Sequence, residues 1–197
     1  PDNLQRSIID VDKLKKFDEI KIYKNINFPT SKDFIPQILN EIKKVVKNSD
    51  YTLGSAVDEL ENLIAKEAMT KYGIGVGSGT DALFLSLKAL NIGHGDEVIT
   101  TTYTFYATIG AIVTAGAKPV FCDVGDDYNI NPLEIQSKIT NKTKAIIPVH
   151  WAGKPCAMDE INKISNSFNL KVIEDACHAI QAEYNEKRCG SLGDIGC

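Results

Sequence analysis

Hydrophobic positions in the first part of the chain recur at helical spacing, and this pattern predicts two helices. Between residues 33 and 48 the apolar side chains fall on one face, while three lysines take the opposite face as a solvated surface. Residues 51–54 interrupt the pattern, and Ser55 is predicted to cap a second helix that runs to about Thr70. Residues 1–30 show no clear period, and we assign them to an N-terminal extension.

From residue 72 onward, short apolar runs alternate with amphipathic segments. The runs predict strands and the segments between them predict helices. The predicted strands are 72–76, 97–101, 118–123, 145–149 and 171–174, and the predicted helices are 81–90, 105–115, 157–168 and one that opens at Asn131-Pro132. A further strand begins within residues 190–197, where the chain stops inside the element. Strands separated by helices are typical of βαβ units, so we predict an α/β fold with a mainly parallel sheet.

Composition restricts the classes of partner. The chain has 197 residues, of which 43% are apolar and 24% charged, as in soluble globular domains. The net charge of −4, without a long run of one sign, gives no reason to propose nucleic acid or an anionic membrane as a partner. No apolar stretch approaches the roughly 18 residues of a membrane span, and no secretory leader is evident. We therefore expect a cytoplasmic protein.

The spacing of the cysteines shows no recognisable disulfide or metal-binding pattern. There are five of them, an odd number, scattered without a C-x-x-C pair, which argues against a disulfide scaffold and against a structural zinc site and fits a reducing cytoplasm. We interpret each as a small buried or half-buried apolar residue, and we expect no metal site. The five are Cys122, Cys156, Cys177, Cys189 and Cys197.

Residues 77–81, Gly-Ser-Gly-Thr-Asp, lie between a predicted strand and a predicted helix and suit an anion such as phosphate. Glycines allow close approach of the backbone, and the first N–H groups of a helix point outward. A dinucleotide fingerprint is the rival interpretation, but the G-x-G-x-x-G spacing is not met and no acid ends a second strand at the usual distance. A Walker phosphate loop is excluded because no G-K-[ST] follows. A purely structural turn stays open.

Three further segments follow predicted strands, where ligands of open α/β sheets gather. Residues 101–108 contain aromatic side chains that could stack on a planar ring or pack in the core. His150 and Trp151 could border the same cavity or be structural. Residues 172–178 read Val-Ile-Glu-Asp-Ala-Cys-His and bring Asp175 to the rim, with His178 three places later. An acid in that position is often a helix cap or part of a structural ion pair, and that alternative also stays open.

Taken together, these segments resemble the DegT/DnrJ/EryC/StrS-type family of nucleotide-sugar aminotransferases, which depend on pyridoxal phosphate (PLP). The resemblance covers the chain from about residue 30 to its end, and its segments occur in the order of the family. It implies the large domain of a type I PLP-dependent transferase over residues 31–197, a three-layer α/β/α domain without the small C-terminal domain. The matching segments are 51–54, 74–83, 95–99, 104–108, 116–123, 143–150 and 172–178.

The resemblance implies a role for five residues. Gly79 and Thr80 would hold the cofactor phosphate at a helix N-terminus. Phe105 would stack on the pyridine ring. Asp175 would pair with the pyridinium nitrogen and keep it protonated, so that the ring can accept electrons. His178 stands where family members carry Gln or His, close to the ring oxygen.

The implied reaction has two halves. An amino donor, glutamate in most of the family, leaves its nitrogen on the cofactor as pyridoxamine phosphate, which then aminates the nucleotide-linked keto-sugar. The family's base is the lysine that forms the resting Schiff base. It is expected just beyond Cys197, so this chain holds none of the catalytic residues, and Lys171 and Lys187 are interpreted as surface residues.

Two alternatives accompany this prediction. A few relatives replace the lysine by histidine and carry out a sugar 3-dehydration from the pyridoxamine form, and nothing before Cys197 separates the two reactions. A relative could also be a non-catalytic regulatory protein, although such a protein has no need for the pairing of Asp175 and Phe105 with a cofactor. The resemblance also implies a homodimer with shared active sites, in which residues 51–54 reach the partner's site.

Overall fold

A computed structural model describes residues 31–197, with side chains from residue 34 onward. The predicted N-terminal extension, residues 1–30, lies outside the described residues. The chain divides into two units, residues 1–51 and 52–197, and each is described by itself.

In the first unit, helix α1 (Ser31–Asn48) confirms the helix predicted from apolar spacing. Its apolar side chains are about half exposed, as with Ile42 at 51% and Val46 at 54%. The chain turns back at the end of the helix, where the Tyr51 hydroxyl donates a hydrogen bond of 3.3 Å to the carbonyl of Val46.

The second unit opens with helices α2 (Ser55–Glu67) and α3 (Gly79–Ala89). The N-cap of α2 is Gly54, whose carbonyl already accepts the first helical hydrogen bonds, so the prediction that Ser55 caps this helix is wrong. Helix α3 begins two residues earlier than predicted, because the side chain of Ser78 caps it.

The predicted strand 72–76 is wrong, because the segment is irregular. Its apolar residues remain exposed, Ile74 at 81%. The glycines allow this segment to approach α2 closely instead of forming a strand. The N–H of Gly75 donates a hydrogen bond to Glu61 Oε1 at 2.6 Å, and a Cβ atom on Gly73 would overlap the carbonyl oxygen of Glu61. Glycine favours strand structure weakly, so contact with the neighbouring helix decided this segment.

Five parallel strands form the central sheet. In chain order they are β1 (Glu97–Thr101), β2 (Lys118–Cys122), β3 (Thr143–Ile147), β4 (Lys171–Glu174) and β7 (Ile195–Gly196). Between β4 and β7 the chain forms a separate hairpin of strands β5 (Glu183–Tyr184) and β6 (Lys187–Arg188). The spatial order of the five sheet strands is β2-β1-β3-β4-β7, and every pairing among them is parallel. The predicted parallel sheet is therefore confirmed, with β3 beginning two residues earlier than predicted.

The hairpin of β5 and β6 is a short addition that the sequence pattern does not predict. Its two turn residues, Asn185 and Glu186, both have positive φ angles, 49° and 65°. A turn of that kind usually carries glycine, which this one lacks, so the usual sequence signal is missing.

Helices cover both faces of the sheet. The remaining ones are α4 (Tyr106–Ala115), α5 (Pro132–Lys138) and α6 (Met158–Phe168). One face packs Leu83 and Leu87 of α3 and Ile112 of α4 against the strands, and the other packs Ile135 of α5 and Ile161 of α6. Neighbouring strand residues alternate between the two cores, so the predicted three-layer α/β/α arrangement is confirmed. Within residues 31–197, no helix has both the length and the apolar character needed to cross a membrane.

The order of the strands reverses beside β1. The chain passes from β1 to β2 on one side and then adds β3, β4 and β7 on the other, so β1 has neighbours from both directions. Connections leave the carboxyl ends of β1 and β3 toward opposite faces, which opens a crevice where ligands of such folds bind. Residues 102–105 and 148–151 follow these two strands.

The cysteines are all free thiols. Cys122, Cys156 and Cys189 are buried, as predicted, and Cys197 is half-buried. Burial raises the pKa of Cys122 to about 11 and that of Cys156 to about 12, so both thiols stay neutral at physiological pH. Cys177 is exposed, so the expectation of burial is wrong for this residue.

The packing of α3 predicts a stability difference between two identical substitutions. Leu87 is fully buried, whereas Leu133 on α5 is 90% exposed. We expect Leu87→Ala to lower the free energy of unfolding by about 2–5 kcal/mol, because the change leaves a cavity, and Leu133→Ala to change it by less than about 0.5 kcal/mol. Urea denaturation of the full-length protein measures both, and equal effects would contradict the described core.

Candidate functional site

The N-terminus of α3 forms an open end with outward-facing N–H groups. The Ser78 hydroxyl accepts the N–H of Asp81 at 3.1 Å and lies 2.9 Å from the carboxylate of Asp81. Gly79 and Thr80 occupy the first helical turn, where N–H groups have no intrahelical carbonyl to bind. A Cβ on Gly79 would meet no atom within 4 Å, so the space beside it is open. Together with the positive end of the helix dipole, this geometry suits an anion.

This open end lies at the carboxyl edge of the sheet. Helix α3 leads through residues 90–96 into β1 and packs against the sheet, so it runs opposite to the strands. Its C-terminus is therefore at the amino edge, and Gly79 and Thr80 are at the edge where β1, β3 and β4 end.

Asp175 follows β4 directly and is held from three sides. Its N–H donates to the carbonyl of Pro148 at 2.9 Å, and its carbonyl accepts the N–H of His150 at 3.0 Å. Its carboxylate oxygen Oδ2 accepts the hydroxyl of Thr108 on α4 at 2.7 Å. The Thr108 oxygen is in turn 2.8 Å from that of Thr104. The carboxylate is thus fixed between β3 and the first turn of α4.

The charge of Asp175 has no counter-ion inside the described part of the chain. The residue is only 6% exposed, and among residues 34–197 it forms no ion pair. Burial of a carboxylate costs free energy unless hydrogen bonds or a cation compensate. A protonated ring nitrogen is such a cation, so this carboxylate fits the role that the resemblance implies for it.

Phe105 and His178 bring exposed rings to the same edge. Phe105 is the N-cap of α4, three residues before Thr108, and is 63% exposed, with its ring centroid 4.8 Å from that of Tyr106. His178 is exposed, three residues after Asp175, and its ring lies 5.5 Å from that of Trp151 in an edge-on arrangement. Both rings are accessible to a ligand. Their roles, like those of Gly79, Thr80 and Asp175, stay predictions.

Sequence reasoning missed the extent of the aromatic surface. Tyr103 lies 4.6 Å from Trp151 and 5.4 Å from Tyr128, centroid to centroid, so four rings including His178 form a continuous row. The sequence does contain a signal for Tyr103 as a residue of this surface, since it follows β1 in the same way as Phe105. Tyr128 has none, because it comes from the loop after β2 and only the fold brings it here.

A second acid, Glu174, faces the opposite side of β4 from Asp175. It is fully buried, as is His150, and the two side chains meet at 2.9 Å. His150 Nδ1 accepts the N–H of Cys156 at 3.1 Å, so the ring proton lies on Nε2 and is donated to Glu174. Glu174 also accepts three backbone N–H groups, from Gly190, Leu192 and Gly193. The sequence pattern treats Glu174 only as the neighbour of Asp175 and does not reveal this network.

His150, Glu174 and Cys189 offer ligand atoms within 4.8 Å of one another. The oxygens of Glu174 and Nδ1 of His150 already accept hydrogen bonds, and burial, helped by the charge of Glu174, raises the pKa of Cys189 to about 11. A neutral thiol and a carboxylate whose oxygens already accept hydrogen bonds are poor ligands for a metal cation. We interpret the cluster as a hydrogen-bonded clamp.

Lys171 and Lys187 are surface residues, as predicted. Lys171 is exposed and bonds Asp194 at 2.7 Å, and Lys187 is exposed in the hairpin strand β6. Neither contacts Asp175, His178 or the start of α3 in the described residues.

Proteins with similar sequences include sugar aminotransferases. The chain is 47% identical over 159 residues to the dTDP-3-amino-3,6-dideoxy-alpha-D-galactopyranose transaminase of Aneurinibacillus thermoaerophilus, covering 80% of this chain and 44% of that protein. It is also 47% identical over 159 residues to a protein of Geobacillus stearothermophilus named pleiotropic regulatory protein, covering 80% and 43%. The chain therefore spans less than half the length of these relatives.

Solved structures give the same result at the level of the fold. DesV of S. venezuelae, solved in complex with a ketimine intermediate, superposes with a TM-score of 0.79 at 34% identity, covering 81% of this chain and 43% of that one. This likeness confirms the predicted fold, the large domain of a type I PLP-dependent transferase. The model of the DegT/DnrJ/EryC1/StrS aminotransferase family matches residues 32–197, and the chain belongs to that family.

Proposed function

We propose that the protein containing this chain is a PLP-dependent aminotransferase that transfers an amino group, from a donor such as L-glutamate, to a nucleotide-linked keto-sugar. The observation that carries the proposal is the buried Asp175 carboxylate, held by Thr108 and without a counter-ion among the described residues. Membership of the family and the sugar aminotransferases among its relatives support the class of substrate.

The residues of the site divide the work of holding the cofactor. The N–H groups of Gly79 and Thr80 would bind its phosphate at the start of α3. Phe105 would pack on one face of its ring, and the imidazole of His178 would donate to the ring oxygen. When bound, PLP supplies an electron sink for deprotonation of the carbon next to the transferred nitrogen.

Asp175 determines whether the ring nitrogen of this electron sink carries a proton. A buried carboxylate stabilises a proton on the nitrogen opposite it, because charge–charge attraction is strong where water is excluded. Thr108 donates to Oδ2 and so orients the carboxylate. In this orientation the carboxylate would accept the ring N–H of the cofactor.

The nucleophilic lysine is assigned to the portion of the protein beyond Cys197. Lys171 and Lys187 are exposed, and Lys171 is paired with Asp194, so neither suits a base at the rim of β4. We further propose a homodimer in which the exposed residues around Leu53 contribute to the partner's site. The free cysteines support a cytoplasmic location, since thiols persist in reducing compartments.

A regulatory function is the second candidate, favoured by the name of the relative from Geobacillus stearothermophilus. The arrangement around Asp175 argues against it as the sole function. A protein that only binds a partner gains nothing from a buried carboxylate that has no counter-ion among the described residues and lies beside exposed rings.

Spectroscopy of the full-length protein tests the proposal. We expect PLP to produce a visible-region band, and borohydride to fix the cofactor on one lysine beyond Cys197, identified by peptide mass mapping. Incubation with L-glutamate should convert the band to that of the pyridoxamine form, and a nucleotide-linked keto-sugar should restore it. Absence of PLP binding would overturn the proposal, and a band that reduction fixes to no lysine would indicate the dehydratase.

The role of Asp175 predicts a loss of affinity. Asp175→Asn keeps the shape of the side chain but removes the charge, so the hydrogen bond to the ring nitrogen loses its ionic component. A charge-assisted bond contributes about 1.5–3 kcal/mol, and we expect the Kd for PLP to rise roughly 10- to 100-fold. Fluorescence titration measures it. The exposed Asp126 provides the matched control, and an equal effect of Asp126→Asn would contradict the assignment.

The bond from Thr108 predicts a difference between two substitutions. Thr108→Val keeps the volume and removes the hydroxyl, whereas Thr108→Ser keeps the hydroxyl. We expect Val to lower kcat roughly tenfold, because Asp175 loses a bond worth about 1 kcal/mol or more and its orientation, and Ser to retain most activity. Steady-state kinetics measures both. If Ser fails as badly as Val, packing and not the hydroxyl is what matters.

A further inference from the structure

The two acids at the end of β4 have opposite surroundings. Neighbouring strand residues point to opposite faces of a sheet. Asp175 meets Thr108 of α4 on one face, while Glu174 points to the other face, among His150, Cys156 and Leu192.

The carboxylate of Glu174 is saturated by donors from two parts of the chain. Oε1 accepts the N–H groups of Leu192 and Gly193, both at 2.7 Å. Oε2 accepts the N–H of Gly190 at 2.8 Å and Nε2 of His150 at 2.9 Å. Three of the four donors lie in residues 190–193. A fully buried charge held by four donors fixes those donors relative to β4.

The backbone of Glu174 holds the next residues as well. Glu174 pairs with Gly196 in the parallel register of β4 and β7. Its carbonyl accepts the N–H of Cys197 at 2.9 Å, and the carbonyl of Cys197 accepts the N–H of Ala176 at 2.8 Å. Residues 190–197 are therefore tied to the strand end on which Asp175 stands.

We propose that Glu174 is a positioning residue: held by His150, its carboxylate fixes residues 190–193 against β4 and so sets the position of the strand end that carries Asp175 beside the cofactor. The inference rests on the proposed function for the identity of the cofactor. Glu174 itself touches neither cofactor nor substrate, since it faces away from Asp175.

The network requires a carboxylate in particular. Glutamine has the same length, but its NH₂ group would face donors in place of one oxygen: either Leu192 and Gly193, or Gly190 and His150. A change of the His150 tautomer does not relieve this, because Nδ1 would then carry a proton toward the N–H of Cys156. Aspartate is one methylene shorter and falls short of the same donors.

Hydrogen exchange of the full-length, PLP-loaded protein tests the inference. In the unmodified protein we expect the amides of Gly190, Leu192 and Gly193 to exchange slowly, and those of the exposed turn residues Asn185 and Glu186 to exchange fast. Glu174→Gln should accelerate the three protected amides roughly 10- to 100-fold. The matched control is Glu183→Gln, which alters the ion pair between the exposed Glu183 and the half-buried Arg188 and should leave the three amides unchanged.

Function provides a second readout. With Glu174→Gln we expect kcat to fall and the pH titration of the visible band to shift, while KM for the sugar changes little, because the substituted residue binds no substrate. His150→Asn should produce the same pattern, and the double variant should be no worse than either single variant, since both act through one network.

Three outcomes would overturn the inference. Fast exchange of the three amides in the unmodified protein would do so without any variant, even if Glu174→Gln failed to fold. Unchanged exchange in Glu174→Gln, or additive effects of the two substitutions, would do so as well. Because exchange can be measured with or without cofactor, failure of PLP to bind would overturn the proposed function and leave the clamp itself testable.

Discussion

Burial of the Glu174 carboxylate is the constraint on which the rest of the site depends. A charge removed from water is tolerated only when donors replace its hydration, and here they come from His150 after β3 and from residues 190–193 before β7. These segments are distant in sequence. The chain can satisfy the charge only by bringing them together, so the end of β4 becomes a fixed point between its two neighbouring strands.

The position of Asp175 is set by that fixed point. The alternation of a strand turns consecutive acids to opposite faces, which gives one acid a set of four donors and places the other beside the Thr108 hydroxyl. The first acid is structural and the second retains capacity for a ligand. Two adjacent carboxylates thus have different surroundings, and from these we infer their different roles.

The strand order explains why the remaining elements converge at the same place. Because β1 has neighbours added from both directions, the carboxyl ends of β1 and β3 open a crevice. Helix α3 runs opposite to the strands, so its N–H groups reach the same edge, and Phe105 arrives there as the residue that begins α4. The start of a helix, an exposed aromatic ring and a buried carboxylate thus lie at one edge of the sheet, although none of them is adjacent to another in sequence.

The sequence by itself determined the α/β class, the parallel sheet and the rim positions of Phe105, Asp175 and His178, because hydrophobic period and strand-end placement are local properties. It misjudged residues 72–76, where contact with α2 outweighed an apolar strand pattern. Only the tertiary structure decided the clamp around Glu174 and the approach of Tyr128 to Trp151 through Tyr103. Those contacts join residues far apart along the chain, and a carboxylate's donors are fixed by the fold that surrounds it.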